Sequence, residues 1–308
     1  MRKFLILFPF LFLSSLSLAT EPFREWTNLD GRTITAHFIE ERQEQVSVRR
    51  TDGRTFKIHL DQLSKEDRKY VKSLSFDHTV GLVAWYPFNG NARDESGNGH
   101  HGEVYGAKLC KDRKGKEDSA YSFSMRRERI NLGNSSKLNP KSEMTVSAWI
   151  IFGPSSDYFE KSGRFGSPIV ARYFGGKGDS KSYLFRINHD RTLGAFVYNK
   201  VISKKSATGS SPYHSKRVIA HGSSHFLAFS FKANDGGSLF GDGEVLTSID
   251  ILHVESYILQ SRTNTMIGAF SNFSNPDFMS FNGVIDDVRI YDRALSRDEI
   301  KSLYELEN

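Results

Sequence analysis

Between Gly81 and Tyr291 the chain consists of many short β-like runs separated by Gly, Asn, Asp and Ser. No part of this region has the sustained 3.6-residue apolar period of a long helix. Strands that are interrupted this regularly are typical of a two-sheet sandwich or jelly roll. The clearest runs are Met144–Ile151, Tyr183–Ile187, Leu193–Tyr198, Phe226–Phe231 and Val284–Tyr291.

A smaller β unit is predicted ahead of the sandwich, between Phe23 and Leu74. Polarity alternates over residues 33–38, 45–49 and 54–60, as in half-buried strands. The Asp52-Gly53 pair between the second and third runs predicts a hairpin turn. Ser64 then precedes charged residues and the apolar Tyr70 and Val71, which predicts an N-capped short helix.

A second short helix is predicted at the C-terminal end. Ser296 and Glu299 have the spacing of a capping box, and Leu295 can pack on Ile300 as a hydrophobic staple. We expect this helix to cover one end of the sandwich.

The first twenty residues have the layout of a secretory signal peptide. Arg2 and Lys3 are followed by the apolar run Phe4–Leu13 and by small or polar residues up to Thr20. Ser17 and Ala19 are the small residues that a signal peptidase recognises. We therefore expect residues 1–20 to be cleaved and the protein to be secreted, periplasmic or at the cell surface. No later segment is apolar enough for a membrane span.

Charge and cysteine content narrow the functional class. The formal net charge of +6 falls to +4 when Arg2 and Lys3 are removed with the leader. Acidic and basic residues are interleaved, a balance that does not require a nucleic-acid partner, and none is expected. Cys110 is the only cysteine, so no intramolecular disulfide can form and stability must come from packing or bound ions.

The smaller unit resembles the Sla-type homology domain of endocytic adaptors. The resemblance rests on Trp26–Ala36, the Asp-Gly turn and the closing segment Leu60–Asp67. It implies a small Src-homology-3-like barrel over residues 21–75. In the eukaryotic adaptors this domain binds peptides containing Asn-Pro-Phe, a ligand that we do not transfer to an exported protein. A packing module or spacer is the alternative.

The larger region resembles bacterial laminin-G and concanavalin A-like domains. The matching motifs occur in the family order, with departures at Phe123-Ser124-Met125 and Ser224-His225 that concern loops. The resemblance implies an all-β, two-sheet concanavalin A-like jelly-roll sandwich over residues 81–305. The motifs are Gly81–Gly102, Ser119–Phe123, Met144–Ile150 and Phe281–Ser296.

A structural calcium site is one expectation for this sandwich. In the segment 94–99, Asp94 and Asn98 interleave with glycines, a pattern that presents oxygen ligands to Ca²⁺. Asp286 has the strand parity of the apolar Val288, which predicts a carboxylate on the inward face, and such a group needs a partner. Related folds place the first and last strands side by side, so Asp94, Asn98 and Asp286 are the predicted ligands. Otherwise, Asp94 caps a turn and Asp286 pairs with an arginine such as Arg93 or Arg289.

Catalysis is not expected. Laminarinase-type glycoside hydrolases share the implied fold and need a nucleophilic Glu, an Asp and an acid/base Glu on one strand. The nearest segment, 248–255, has Ser248 where the nucleophile should be, with Asp250 and Glu255 following. A glycan-cleaving enzyme remains the least favoured hypothesis. No nucleophile elbow of a Ser-His-Asp hydrolase is present.

Binding is the function that remains. Aromatic side chains in Gly- and Ser-rich loops provide stacking surfaces for sugars, and Tyr158, Tyr173 and Tyr213 are the predicted contacts. The basic segment 200–217 could attract an acidic polysaccharide, although it could also be a solvated loop. The expected partner is a glycan or a protein of the extracellular space or cell envelope. The alternative is a structural or protein-interaction module without affinity for sugars.

Overall fold

The structure is a computed structural model that describes residues 23–42, 44–75, 77–154, 166–174, 181–201, 208–250, 256–258, 260–272 and 275–307. The predicted signal peptide, residues 1–20, lies outside this part of the chain. The chain divides into two compact units, Met1–Ser75 and Phe76–Asn308.

The first unit is an antiparallel sheet with the strand order β1-β2-β3-β4. The turn at Asp52-Gly53 joins β3 to β4, and Gly53 adopts a φ of 82°, which a residue with a side chain rarely adopts. Ser64 caps helix α1, because its Oγ accepts the Asp67 N–H at 3.1 Å. Trp26, Ala36, Val46, Val48, Leu63 and Val71 form a separate small core. The described pairing is that of an open sheet, and the closed barrel stays a prediction. The elements are β1 (Arg24–Thr27), β2 (Thr33–Arg42), β3 (Gln45–Arg50), β4 (Thr55–His59) and α1 (Lys65–Ser75).

The second unit is a sandwich of two eight-stranded sheets as far as the described residues show. Its elements are β5 (Leu82–Tyr86), β6 (Glu103–Tyr105), β7 (Lys108–Cys110), β8 (Ala120–Ser124), β9 (Arg129–Asn131), β10 (Glu143–Phe152), β11 (Ser167–Tyr173), β12 (Lys181–Ile187), β13 (Thr192–Val201), β14 (Thr208–Val218), β15 (Ser224–Lys232), β16 (Gly236–Gly241), β17 (Glu244–Asp250), β18 (Ser256–Ile258), β19 (Met266–Ile267), β20 (Ala269–Asn272), β21 (Asn275–Ser280), β22 (Asn282–Tyr291) and α2 (Arg297–Glu307).

The first sheet of the sandwich has the order β17-β16-β15-β10-β22-β8-β7, with β5 also paired to β22. The second sheet has the order β14-β13-β12-β11-β19-β9-β6, with β18 paired to β13. Strands β5 and β22 are thus neighbours, as the sequence resemblance implied. The predicted all-β, two-sheet sandwich is confirmed.

Apolar side chains from the facing sides of the two sheets form the main core, which includes Val146, Phe185, Phe229 and Ile290. The outer face of the first sheet is also covered: α2 places Ile300 and Leu303 on it. The capping box is confirmed, since Ser296 N–H donates to Glu299 at 2.7 Å and Glu299 N–H donates to Ser296 Oγ at 3.2 Å. The helix therefore covers a sheet face, whereas we expected it at one end of the sandwich. Neither helix of the described residues is long and apolar enough to cross a membrane.

Candidate functional site

The loop after β5 is organised by the carboxylate of Asp94. Its Oδ1 accepts the Trp85 and Ser96 N–H groups at 3.0 and 2.9 Å, and its Oδ2 accepts the His100 N–H at 2.8 Å. Burial alone would raise the pKa of Asp94, but the hydrogen bonds outweigh it and hold the pKa below its ordinary value. Asp94 thus acts as a turn-organising acceptor, one of the two roles that the sequence left open.

Asn98, the second predicted metal ligand, lies in the same loop and also contacts protein groups. Its Nδ2 donates to the Leu82 carbonyl at 3.0 Å, and its Oδ1 accepts Lys137 Nζ at 3.2 Å. The oxygen that would coordinate a cation therefore has an ammonium group as its neighbour.

Asp286, the third predicted ligand, does not face the core. The register of β10 and β22 shifts between Ser147 and Trp149, and the shift sets Asp286 opposite Trp149. Trp149 packs against α2 on the outer face, and partners across an antiparallel pair project to the same side. The inward parity predicted for Asp286 is wrong, because a β-bulge with Asp287 at a φ of 43° interrupts the alternation.

Asp286 pairs with Arg113, a residue that the sequence pattern did not single out. Arg113 Nη1 lies 2.5 Å from Asp286 Oδ2, and its Cζ lies 4.4 Å from the Trp149 ring centre. Burial raises the pKa of Asp286 to about 7, and the positive charge of Arg113 acts in the opposite direction. The predicted arginine partners were Arg93 and Arg289, and the contact is instead made 173 residues away in sequence.

The neighbouring Asp287 and Arg289 belong to the same buried polar layer. Asp287 Oδ1 accepts Trp85 Nε1 at 2.5 Å and lies 3.4 Å from Arg289 Nε. Both residues are buried, and Trp85 of β5 covers them, with its ring centre 4.8 Å from Arg289 Cζ. Their contacts join β5 to β22 and give this cluster a structural role.

The three predicted calcium ligands do not form a metal-binding group among the described residues. Among the described residues, no group of three or more His, Cys, Asp or Glu side chains is placed to hold a metal ion. Cationic side chains lie at Asn98 and Asp286, where calcium ligands were predicted. The side chains of Asp94, Asn98 and Asp286 contact other protein groups, and the calcium site stays an untested prediction.

The three predicted aromatic contacts have different positions. Tyr158 lies outside the described residues. Tyr213 is wrong as a ligand contact, because its side chain is 0% exposed and its ring lies 5.1 Å from that of Phe229 in the main core. Tyr213 is buried because it lies at a position of β14 whose side chain points toward the core between the sheets. Tyr173 ends β11 on the outer face of the second sheet and is partly exposed.

Tyr173 belongs to a row of aromatic and basic side chains on that outer face. The Tyr173 and Tyr198 ring centres are 5.5 Å apart, and Lys181 Nζ lies 5.5 and 5.3 Å from them. In the next part of the row, Arg186 Cζ lies 4.7 Å from the Phe196 ring centre. His214 contacts the Phe196 ring edge to face at 5.4 Å. We call this row the aromatic–basic face; its members are Tyr173, Lys181, Arg186, Phe196, Tyr198 and His214.

Strand pairing explains why these residues meet. Leu184 pairs with Phe196, and Arg186 pairs with Gly194, which pairs in turn with His214. Alternation along β12, β13 and β14 then places Arg186, Phe196 and His214 on the outer side. Lys181 has the inward parity of Tyr183, and it meets Tyr173 because the β11–β12 register shifts between Arg172 and Tyr173. The β20–β21 hairpin covers part of the same face, where Phe270 contacts Tyr173 at 5.1 Å.

A fixed amide lies at the His214 end of the row. Asn188 Oδ1 accepts Arg186 Nε at 2.9 Å, and its Nδ2 contacts His214 Nδ1 at 3.1 Å and donates to Thr192 Oγ1 at 3.0 Å. Gly194 makes room for this amide, since a Cβ there would lie 2.6 Å from the Asn188 Nδ2 and Oδ1 atoms.

Protonation on the aromatic–basic face follows from burial. Burial raises the pKa of Tyr198, and the nearby Tyr173 contributes, so the phenol stays neutral. Burial also lowers the pKa of His214, and the charge of Arg186 acts in the same direction, so the imidazole is neutral near pH 7. Lys181 and Arg186 therefore carry the positive charge of this face.

Aromatic rings beside cations can bind a sugar. Partly exposed rings stack on the apolar faces of pyranoses, and the cations provide hydrogen bonds. Sequence reasoning identified Tyr173 but missed the other members of the row. Alternation along β13 places Phe196 and Tyr198 on the same face of the strand, and this was the only sequence signal for them. The alternation did not show which face of β13 is exposed to solvent.

The catalytic alternative depends on the segment 248–255. Ser248 lies in β17, at an edge of the first sheet, and its Oγ is 2.8 Å from Ser238 Oγ. The predicted acid/base position Glu255 lies outside the described residues. Ser248 has no carboxylate, so the double displacement of a retaining glycosidase has no nucleophile there.

Comparison with known proteins supports the fold. The sequence model of the concanavalin A-like lectin/glucanases superfamily matches residues 127–301. No curated protein matches the chain. A solved structure of Trypanosoma rangeli sialidase, in complex with 2,3-difluorosialic acid, has a TM-score of 0.52 and 13% identity over 92% of this chain and 44% of that chain. The present chain thus spans less than half of that enzyme.

Two further solved structures have lower TM-scores. Domain 4 of an extracellular arabinanase from Geobacillus stearothermophilus, in complex with arabinotriose, has a TM-score of 0.49 and 20% identity, with 72% of this chain and 98% of that chain covered. The botulinum neurotoxin serotype D binding domain has a TM-score of 0.49 and 16% identity, with 74% and 51% covered. At such identities a likeness concerns the fold alone. Because the superfamily match spans more than half of a chain with this two-sheet fold, the protein belongs to the concanavalin A-like lectin/glucanase superfamily.

Proposed function

We propose that this protein is an exported, non-catalytic glycan-binding protein that binds sugars on the aromatic–basic face. The observation that carries the proposal is the pairing of two partly exposed tyrosines, Tyr173 and Tyr198, beside Lys181 on the outer face of the second sheet. The rings are held by neighbouring strands and by the Phe270 contact, so little conformational entropy is lost when a sugar binds.

The test is a glycan array followed by calorimetry with the best ligand. We expect Tyr198→Ala to weaken binding by about tenfold, because the stacking surface is lost. Tyr105→Ala is the matched control. The Tyr105 ring also contacts a cationic side chain, with Arg129 Cζ 4.0 Å from its centre, but Tyr105 lies on β6, outside the aromatic–basic face. Equal losses in both variants would contradict the assigned face.

The alternative is a structural or protein-interaction module. An array without any bound glycan, from protein that retains its native circular dichroism spectrum, would favour that alternative. Release of reducing ends from a bound glycan would instead contradict the non-catalytic part of the proposal.

Export belongs to the same proposal. The basic, apolar and small-residue order of residues 1–20 supports cleavage after Ala19 or Thr20. N-terminal sequencing of the protein recovered from outside the cytoplasm would show the mature end. An intact Arg2 there would contradict cleavage.

We propose that the small N-terminal unit is the Sla-type domain that its motifs resemble. Its own core and capped helix support an autonomous fold. It also has a cleft of about 440 Å³ beside Trp26, Leu29 and Ile34. An experimental structure of residues 21–75 in solution would test the barrel, which requires contacts that close the sheet.

Calcium is kept as a separate proposal for the loop 94–99. An ion that binds only the native state raises the melting temperature, by an amount equivalent to about 2.7 kcal/mol at a hundredfold excess over its dissociation constant. Because Asp286 is paired with Arg113, the Asp94 loop would have to supply the ligands. The test is to measure the melting temperature of the same protein sample that is used for the glycan array, with and without a calcium chelator. An unchanged melting temperature would contradict calcium binding.

A further inference from the structure

The positive charge on the aromatic–basic face indicates what charge its ligand carries. Two of its six members are permanent cations, Lys181 and Arg186, and each lies over an aromatic ring. Among the described residues, no carboxylate lies within 4.0 Å of Lys181 Nζ. Among the same residues, the neighbours of Lys181 Nζ include the Tyr173 and Tyr198 ring faces, which attract a cation without neutralising it, so the ammonium can still attract an anion.

Asp190, an acidic residue of the described part of the chain that lies near this face, is already engaged. Asp190 accepts the Thr192 N–H at 3.0 Å and the Thr192 hydroxyl at 2.6 Å in the turn between β12 and β13. These hydrogen bonds lower the pKa of Asp190 against the effect of burial, which acts in the opposite direction and is the largest single influence. Its charge lies at the His214 end of the row, away from the pair of tyrosines that flank Lys181.

We propose that the ligand of the aromatic–basic face is an anionic glycan whose uronic-acid carboxylate binds Lys181. This rests on the proposed function, because it names the substrate class of the same site. A hexuronate ring stacked on Tyr198 would present its carboxylate at the ring edge, where the ammonium lies. Because Lys181 Nζ already lies near both rings, few of its rotamers are lost when the ion pair forms.

A pair of ligands that differ only in charge tests this directly. Oligogalacturonate, alginate and hyaluronan oligosaccharides are compared with their carboxyl methyl esters by calorimetry at low and at high salt. At least one acid form is expected to bind about tenfold more tightly than its ester, and the difference should shrink as salt screens the charge.

The matched variants are Lys181→Gln and Arg129→Gln. Lys181→Gln should lower affinity for the acid about tenfold while changing affinity for the ester much less. Arg129 also lies over a tyrosine, on another strand, so Arg129→Gln should change neither affinity. Melting curves of both variants check that the fold is retained.

The outcomes separate the two proposals. Binding of neutral glycans with equal or greater affinity, lost in Tyr198→Ala, would overturn the anionic ligand and leave the glycan-binding function intact. Absence of binding to any acid, ester or neutral glycan would overturn both. A preference for the acid that persists in Lys181→Gln would overturn the assignment of the carboxylate to Lys181.

Discussion

At the scale of single residues, Asp94 shows how one carboxylate can hold a loop together. It accepts N–H groups from Trp85, Ser96 and His100, and charge-assisted hydrogen bonds of this kind are stronger than neutral ones. We expect Asp94→Asn to lower the free energy of unfolding by about 2 kcal/mol, measured by urea denaturation. The Asp94 contribution is present above the unfolded-state pKa and is lost as pH falls through the lowered native pKa.

Asp112→Asn is the control for this variant. Asp112 accepts two N–H groups, from Lys114 and Lys116, in an exposed turn where water can replace them. Its effect should stay below about 1 kcal/mol. If Asp112→Asn lowered the unfolding free energy as much as Asp94→Asn, burial of the Asp94 loop would not explain the Asp94 effect.

Arg172 is the other residue with an unusual share of contacts. It is 1% exposed and donates to the carbonyls of Ser261, Ser135 and Asn134 and to the Thr265 hydroxyl. Arg172→Lys keeps the charge but loses the planar set of donors, and we expect a loss of about 3 kcal/mol in unfolding free energy. Arg129→Lys, at a partly exposed site, is the comparison and should change it by less than about 0.5 kcal/mol.

At the scale of elements, the β-bulge in β22 places the buried carboxyl of Asp286 beside Arg113. Burial raises the pKa of Asp286 from 3.8 to about 7. Between these values the unfolded chain ionises while the native carboxyl holds its proton, so this group makes the unfolding free energy fall as pH rises. We expect Asp286→Asn to reduce that decline. The measurement is a series of urea titrations across the same pH range.

In that series, the informative quantity is the slope of the unfolding free energy with pH, not its absolute value. Asp286→Asn also leaves Arg113 without its carboxylate, which lowers stability at every pH. Asp235→Asn in an exposed turn should leave the slope unchanged. An unchanged slope in Asp286→Asn would indicate that Asp286 is ionised throughout, as a tight ion pair with Arg113.

At the scale of the whole molecule, the two units each have their own core. The small unit packs around Trp26, and the sandwich around its inter-sheet residues. We expect limited proteolysis to cut near Phe76, which lies outside the described residues, and to leave a stable fragment from about Gly81 onward. That fragment should melt at the same temperature as the sandwich in the full chain. Degradation of both units together would contradict independent folding.

The sequence by itself determined the local features of this protein. Strand runs, the Asp52-Gly53 turn and the Ser296–Glu299 capping box were all predictable, and the structure contains them. Each depends on residues within a few positions of one another, through side-chain alternation or backbone hydrogen bonds. The neighbouring positions of β5 and β22 were predictable from the family resemblance alone.

Only the tertiary structure decided which side chains reach solvent and which meet. The bulge at Asp287 reversed the face of Asp286, and pairing in β14 turned Tyr213 into the core. The row that contains Tyr173, Lys181 and Tyr198 comes from three strands. Its composition depends on register and on which face of the sheet is left uncovered, and both are set by contacts between residues distant in sequence.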